Sequence, residues 1–388
     1  MKKMRIFFIS TFLIISYTLY WITEPFSINL FTQNPVSIIE NKTDFKCNAY
    51  NTLINQGDHI LDSVIKSKEF LGVSVGVSID SCQPWLATAG IINKKSKQKP
   101  TTQSLFRIAS ISKPMTAVAI LQLYEKGKLK LDVPIQTYLP EFPKKEKGDI
   151  TIRQLLQHTS GIPHYKSKMG IFHFKNYDNC TDALKRFSNK KLAFKPGTSF
   201  LYSSYGYTVL GAIIEQVSGR SYQEYMKENI WIPSGMIHTD IEQKNLTYNN
   251  KAGLYIKTGI GFIRSPKNDL SYTYSGGGII STAEDMLKFG EAILENELIN
   301  STTTQLMIAL SNKEITKKEY TLGWDVWVSS KHQKVIEHSG TQVGVSSFFR
   351  IYFDKRVVVV SLANNLNSSE QVRNLTIKMA NLVLENRS

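Results

Sequence analysis

The stretch Phe106-Arg107-Ile108-Ala109-Ser110-Ile111-Ser112-Lys113 runs straight into Met115-Thr116-Ala117-Val118-Ala119-Ile120-Leu121-Gln122-Leu123-Tyr124, and the reading of this passage decides the fold. The second run is apolar on almost every face, so as a helix it must be enclosed by protein, and Gly127 supplies its stop. Ser110 and Lys113 stand at i and i+3 where this helix begins. Their side chains emerge on one face about one turn apart, where an amine can take or hold a hydroxyl proton. A first helical turn also presents unpaired N–H groups and the positive end of the dipole. Ser63/Lys66, Ser96/Lys99 and Ser188/Lys191 repeat the spacing without such a helix behind them. On the local pattern alone, an N-cap serine followed by a solvated lysine serves equally well. Two segments further along, Tyr202-Ser203-Ser204 and His338-Ser339-Gly340-Thr341, turn the pair into a candidate serine acyl-transfer site.

The passage from Phe106 to Lys113 resembles the nucleophile segment of the serine β-lactamase and penicillin-binding superfamily. Leu139-Pro140-Glu141-Phe142-Pro143, the run from Ile150 through His158-Thr159-Ser160-Gly161-Ile162, and Phe194-Lys195-Pro196-Gly197 through Tyr207 resemble its class C branch in order and spacing. Gly276-Gly277-Gly278-Ile279-Ile280-Ser281-Thr282 and Met286-Leu287-Lys288-Phe289-Gly290 place the likeness nearest the mitochondrial serine β-lactamase-like protease. The resemblance covers roughly residues 50 to 385. It implies an α+β fold of the β-lactamase/transpeptidase type: an antiparallel sheet flanked by helices, with a mostly helical region inserted over roughly residues 130–275 and the site at their junction.

Roles follow from the resemblance together with the chemistry of each group. Ser110 attacks an acyl carbon. Lys113 serves as base if burial lowers its pKa from about 10.4, or stays charged and makes a partial phenolate of Tyr202, which then shuttles the proton. The backbone N–H groups of Ser110 and Thr341 form an oxyanion hole, and Gly340 lets substrate backbone come close. Ser204 and Ser339 complete the substrate-binding set. Two departures stand out. Ser204 replaces an asparagine, and His338 stands where β-lactamases usually carry a lysine whose charge holds the β-lactam carboxylate. Histidine, with a pKa near 6.5, supplies that charge only in part at neutral pH. The expectation is therefore an esterase or peptidase using an acyl-enzyme, on a small acyl or peptide substrate and without metal or organic cofactor. A D-specific carboxypeptidase, penicillin-binding protein or β-lactamase is the alternative within that chemistry, and a non-catalytic wall-binding or scaffold protein of the same fold the alternative outside it.

Composition is consistent with one large catalytic unit, since 388 residues bury an extensive core. The net charge of +15 comes from lysine runs such as Lys94-Lys95, Lys144-Lys145 and Lys190-Lys191. These read as solvated loops or as attraction to anionic lipid headgroups or wall polymers, and not as a nucleic-acid surface, because no element interleaves them with aromatics. At the start, Met1-Lys2-Lys3-Met4-Arg5 precedes an apolar run from Ile6 to Ile22 that ends in Tyr17, Tyr20 and Trp21 without a small-residue cleavage site. We read residues 1–22 as an uncleaved signal-anchor with the catalytic domain (47–388) outside the cytoplasm, in the periplasm or at the cell surface, and 23–46 as a tether. Cys47, Cys82 and Cys180 allow one disulfide and leave one thiol over. His158, His164 and His173 read as structural rather than as metal ligands, and oligomeric state is not legible.

Periodicity places a helix over Asn51 to Lys68, strands over Val73 to Ile79 and Trp85 to Gly90, and a turn between them. Capping boxes are expected at Thr151/Gln154, Ser221/Glu224 and Ser281/Glu284. Strands follow at Val335 to His338, Ser346 to Phe353 and Val357 to Ala363, with Asp354-Lys355 as a tight hairpin, then a helix from Glu370 to Leu384.

Overall fold

Val73, Val75, Val77 and Ile79 alternate with Ser74, Gly76 and Ser78, a period of two that puts the valines on one face of a strand. A computed structural model describes residues 50–80, 82–165, 172–311, 317–330 and 333–385. The expected anchor, the tether and Cys47 lie outside these residues. In chain order the strands are β1 (Gly72–Ile79), β2 (Trp85–Gly90), β3 (Phe106–Arg107), β4 (Asp240–Ile241), β5 (Tyr255–Thr258), β6 (Gly261–Arg264) and β7 (Ile279–Ser281). Then come β8 (Glu319–Tyr320), β9 (Asp325–Val328), β10 (Lys334–Gln342), β11 (Val345–Tyr352), β12 (Val357–Ala363) and β13 (Asn365–Leu366). The long helices are α1 (Asn51–Lys66), α2 (Ser112–Glu125), α3 (Ser204–Ser218), α4 (Ala283–Leu294) and α5 (Ser369–Leu384).

Seven strands form one antiparallel sheet in the order β2-β1-β12-β11-β10-β9-β8, so strands from the two ends of the described chain pair at its centre. The register sets Val73 opposite Ala363 and Ile79 opposite Val357, which sorts the side chains onto two covered faces. On one face Val73, Val75, Val77, Val357 and Val359 meet Leu53, Leu61 and Ile65 of α1 and Val372, Leu375 and Met379 of α5. On the other, Val358, Val360 and Leu362 meet Met286, Leu287 and Phe289 of α4 in the larger core that also holds α2 and α3. Each such aliphatic side chain contributes roughly 1.5–3 kcal/mol when fully buried. Gly290 lets α4 settle on the sheet, since a Cβ there would lie 2.5 Å from Val358 Cγ1. The architecture is the expected α+β arrangement of a helix-flanked antiparallel sheet. Between α2 and α4 lie α3, the short helices Ile152–Leu156, Cys180–Ala183 and Tyr222–Met226, and the small sheets that contain β4 to β6.

Local signals hold where the chain alone decides the structure. The capping boxes at Thr151/Gln154 and Ser221/Glu224 are both closed. The third is displaced by one residue: Thr282 caps the Asp285 N–H at 3.1 Å, while Ser281 ends β7. Ser281-Thr282-Ala283-Glu284-Asp285 carries two overlapping cap registers, and pairing of β7 between β3 and β4 selects the later one. β10 also runs beyond the expected His338, because Ser339 to Gln342 pair with β11 down to a two-residue turn. The expected Asp354-Lys355 hairpin is a Phe353–Lys355 3₁₀ turn closed by Arg356 at φ +51°. Cys82 is disulfide-bonded and Cys180 is a buried free thiol.

Arg107 ties the approach to the helix into the rest of the molecule. Its Nε and Nη2 donate to the two Glu242 carboxylate oxygens at 2.6 and 2.8 Å, and its Nη1 donates to Asn268 Oδ1 and the Val343 carbonyl. Lys251 Nζ adds a contact of 2.6 Å to Glu242. Burial pushes the Glu242 carboxyl up, but the Arg107 and Lys251 charges outweigh it and hold the group at about 2. Glu242→Ala should therefore cost about 3–5 kcal/mol in urea denaturation at neutral pH, because it strands a buried guanidinium. The depressed carboxyl contributes fully above its unfolded pKa of about 4.3 and loses that contribution as pH falls toward 2. The stability gap between wild type and variant should close across that window.

Candidate active site

Ser110 lies in a 3₁₀ turn, Ala109–Ile111, one step ahead of the α-helix that begins at Ser112. The offset follows from Ala109, whose φ of +50° is left-handed and costs an L-residue roughly 1–2 kcal/mol. That kink turns Ser110 toward a cavity of about 390 Å³. Gly340 lies behind the turn, where a Cβ would stand 2.4 Å from the Ile108 carbonyl oxygen and 2.2 Å from Ser347 Oγ. Its missing side chain makes room for the kink, whereas the sequence reading gave that space to substrate.

Lys113 is fully buried beneath the cavity floor. Its Nζ stands 3.1 Å from Ser110 Oγ and 3.2 Å from Ser204 Oγ, and it donates to the Gly276 carbonyl at 2.5 Å. Among the described residues no carboxylate pairs with it, and burial alone drives its pKa well below the ordinary value. The Tyr202 ring centroid is 4.8 Å from the amine. Burial pushes the Tyr202 phenol well above its usual value, with Ser110 pulling the other way. Of the two states open on paper, burial of both groups favours a neutral amine beside a protonated phenol over the partial phenolate.

His338 is also buried rather than solvent-facing. Its Nδ1 lies 2.6 Å from the Ser339 carbonyl, which can only accept, so Nδ1 carries the proton and Nε2 accepts from the Tyr320 hydroxyl at 3.0 Å. Burial first, then the Lys113 charge, lowers its pKa to about 3. The ring is thus neutral throughout the physiological range, where the sequence reading allowed it part of a charge.

Two further histidines shape the tyrosine segment. His158 Nδ1 accepts the Ser203 N–H at 3.1 Å and His164 Nδ1 accepts the Ser204 N–H at 3.2 Å. The His158 ring packs at a tilt of 47° against both Tyr202 and Tyr320, with ring centroids 4.3 and 4.5 Å away. Burial lowers both histidines, His164 to about 4. These are structural uses. Among the described residues no group of His, Cys, Asp or Glu is disposed to hold a metal.

The cavity lining thus brings together Ser110, Tyr202, Ser204, His338, Ser339 and Thr341, with Lys113 below and Gly340 behind. It adds Phe200, Tyr320, Asp325 and Gln342, which sequence reasoning missed. Tyr320 and Asp325 come from β8 and β9, reached only through sheet pairing, and no local pattern marks them. Chemically the arrangement offers a hydroxyl, a buried neutral amine and a phenol at one pocket, the parts of an acyl-transfer site.

Comparison with known proteins identifies the family and the fold. The serine beta-lactamase-like protein LACTB, mitochondrial, of Bos taurus is 30% identical over 408 aligned residues, covering 76% of this chain and 73% of its own. The crystal structure of a penicillin-binding protein from Bacillus halodurans superposes with a TM-score of 0.72 at 27% identity, over 82% of this chain and 98% of its own. A D-amino acid amidase from Ochrobactrum anthropi SV3 shares the fold at 22% identity with a TM-score of 0.75, over 87% of this chain and all of its own (100%). The family described as Beta-lactamase matches residues 57–383, and on that match the chain, a serine hydrolase of β-lactamase/transpeptidase-like fold, belongs to the beta-lactamase family.

Proposed function

We propose that this protein is an exported, membrane-tethered esterase or peptidase that works through an acyl-enzyme on Ser110. The observation that carries the reading is the Lys113 amine, buried without a carboxylate and 3.1 Å from the Ser110 hydroxyl. As the neutral base it takes the Ser110 proton while Oγ bonds to the acyl carbon. Tyr202 gives its phenolic proton to the leaving group and regains one from the Lys113 ammonium, so the pair returns to its starting state. General acid-base transfer of this kind contributes roughly 100- to 10,000-fold. Water then repeats the sequence to release the acid. Backbone N–H groups of Ser110 and Thr341 receive the oxyanion, each worth about 100- to 1,000-fold.

The electrostatics favour substrates without a carboxylate at the reacting end. His338 is neutral and the Lys113 amine is neutral, while Asp325 lines the same cavity. Nothing at the third segment then replaces the fixed lysine charge that holds a β-lactam carboxylate, which speaks for neutral esters or amides over β-lactams.

Three outcomes check this reading. Intact-mass spectrometry after fluorophosphonate treatment should show one adduct on wild type and none on Ser110→Ala; an adduct that survives the substitution removes Ser110 from the mechanism. Acylation by a neutral ester should rise with pH as the last Lys113 ammonium is lost, and should show no inflection near 6.5, since His338 titrates at about 3. At neutral pH nitrocefin turnover should be negligible, and His338→Lys should raise penicillin acylation about 10- to 100-fold, the worth of one hydrogen bond to a charged group, with less effect on the ester. An equal response of both substrates would show that position 338 does not set substrate class.

The tether rests on the basic start and the apolar run from Ile6 to Ile22. Native protein should stay with membranes through a carbonate wash, and Edman sequencing should begin at the N-terminus. A sequence starting near residue 25 would mean a cleaved signal instead.

A further inference from the structure

Charge on the surface is unevenly placed. No Asp or Glu occurs between Asp80 and Glu125 or between Glu242 and Asp269. These two segments fold against each other. Gly253 N–H donates to the Ile92 carbonyl and Ala252 N–H to the Leu105 carbonyl, at 2.8 and 2.9 Å. The acids bordering the second segment turn inward, Glu242 onto Arg107 and Lys251, and Asp269 onto Ser271 and Asn176. What remains outside is cationic: Lys95, Lys97, Lys99, Arg264 and Lys267 are all exposed.

The two segments form one built face. A tight turn, bridged at Asn93 and Gln98, carries the first lysines, and Asn93 Oδ1 accepts the N–H groups of Lys95 and Ser96. Lys94 fastens this turn to the β5–β6 hairpin: its N–H donates to Tyr255 Oη at 2.8 Å and its Nζ to the Phe262 carbonyl at 3.0 Å. At the hairpin tip, between Gly259 and Gly261, Ile260 is 84% exposed, the most exposed large apolar side chain among the described residues. An exposed apolar tip on a hairpin fastened to a lysine-bearing turn matches the headgroup layer of an anionic bilayer, where lysines meet lipid phosphates and an aliphatic side chain leaves water. A soluble anionic polymer would pair with the lysines but has no use for the isoleucine.

We propose that the face made by the Asn93–Gln98 turn and the β5–β6 hairpin docks the folded domain on an anionic phospholipid surface, with Ile260 entering the headgroup region. The face abuts the catalytic mouth. Leu254, just before β5, packs on the Val343-Gly344 turn, where a Cβ on Gly344 would lie 2.3 Å from Leu254 Cβ, and that turn directly follows Thr341 and Gln342 of the cavity lining. Docking there is separate from any anchor at the N-terminus, since it acts on the domain's orientation.

The test uses the full chain reconstituted into vesicles, so that attachment through the N-terminus is common to all arms. An environment-sensitive fluorophore on Ile260→Cys reports the hairpin tip alone, with labelled wild type as background; Cys180 is buried and Cys82 is in a disulfide. In phosphatidylglycerol-containing vesicles emission should shift to the blue and be quenched by nitroxide-bearing lipid. In pure phosphatidylcholine both effects should be lost, as they should in 1 M salt, where the Debye length shrinks to about 3 Å. Lys95→Glu/Lys97→Glu/Lys99→Glu should abolish the quenching while melting like wild type, and Lys97→Glu alone should weaken it if the triple variant folds poorly. Equal signals in the two lipids, or signals untouched by the lysine changes, overturn the proposal. So does a shift driven by soluble polyphosphate without lipid quenching, which would make the face a polymer site.

Discussion

Lys113 carries its amine to the floor of the cavity, where no carboxylate among the described residues meets it, and the neighbouring elements are arranged around that uncompensated burial. Desolvation penalises the ammonium, so the folded chain favours the amine, and a neutral amine can be a base. Holding it there needs three elements at one point: α2, which bears the lysine, the start of α3 with Ser204, and the short helix Tyr274–Gly277, whose Gly276 carbonyl takes an amine proton. Side-chain to backbone hydrogen bonds join these elements. Thr116 Oγ1 donates to the Ser275 carbonyl at 2.7 Å, Ser275 Oγ to the Tyr207 carbonyl at 2.8 Å, and Thr208 Oγ1 to the Tyr272 carbonyl at 3.1 Å. Small hydroxyl residues thus lock three helices through backbone carbonyls, which explains why a passage as apolar as α2 is punctuated by Thr116.

The same demand accounts for what was legible beforehand. α1, α5 and β1 were readable from an amphipathic or alternating pattern, and β12 from a continuous β-branched run, Val357 to Val360, buried on both faces of the sheet. The closed caps at Thr151 and Ser221 need only residues within one turn. The pairing of Ser110 with Lys113 was visible for that reason too, and Tyr202 and His338 through family resemblance. Illegible were the properties set by distant neighbours. Spacing cannot show that Ala109 must turn left-handed, because the space for it is left by Gly340 on β10. Nor can it show that Tyr320 meets His338, since β8 reaches β10 only across β9. Protonation states were open for the same reason: the free-peptide value made His338 a partial cation and a charged Lys113 was one of two routes to an active site, through a Tyr202 phenolate, whereas burial lowers the imidazole and raises the phenol.

Histidine use follows one rule in this region. His158, His164 and His338 each accept or donate through Nδ1 to backbone and are kept uncharged by burial. Their jobs are to place the Tyr202-Ser203-Ser204 segment and to orient Tyr320, and a charged ring would disturb the neighbouring amine. A positive charge on Lys113 works against protonation of His338, which adds to the effect of burial in keeping the ring neutral.

Charge is therefore sorted by depth. A chain with a net charge of +15 carries its lysine runs on the outside and pairs the buried Arg107 and Arg350 with Glu242 and Glu337, while the pocket holds neutral histidines, a neutral amine and protonated phenols. The two facts are linked by dielectric. An exposed lysine costs little because water solvates it and salt screens it within about 10 Å, so a basic exterior barely perturbs a buried site. Inside, the same charge would be felt at full strength by the Ser110–Lys113–Tyr202 group. Ile108, Ile111 and Met115, fully buried along the segment that carries Ser110 and Lys113, and Tyr207, fully buried with its ring centroid 5.5 Å from the Lys113 amine, supply the low-dielectric surroundings in which a lysine base can persist in a chain with so basic an exterior.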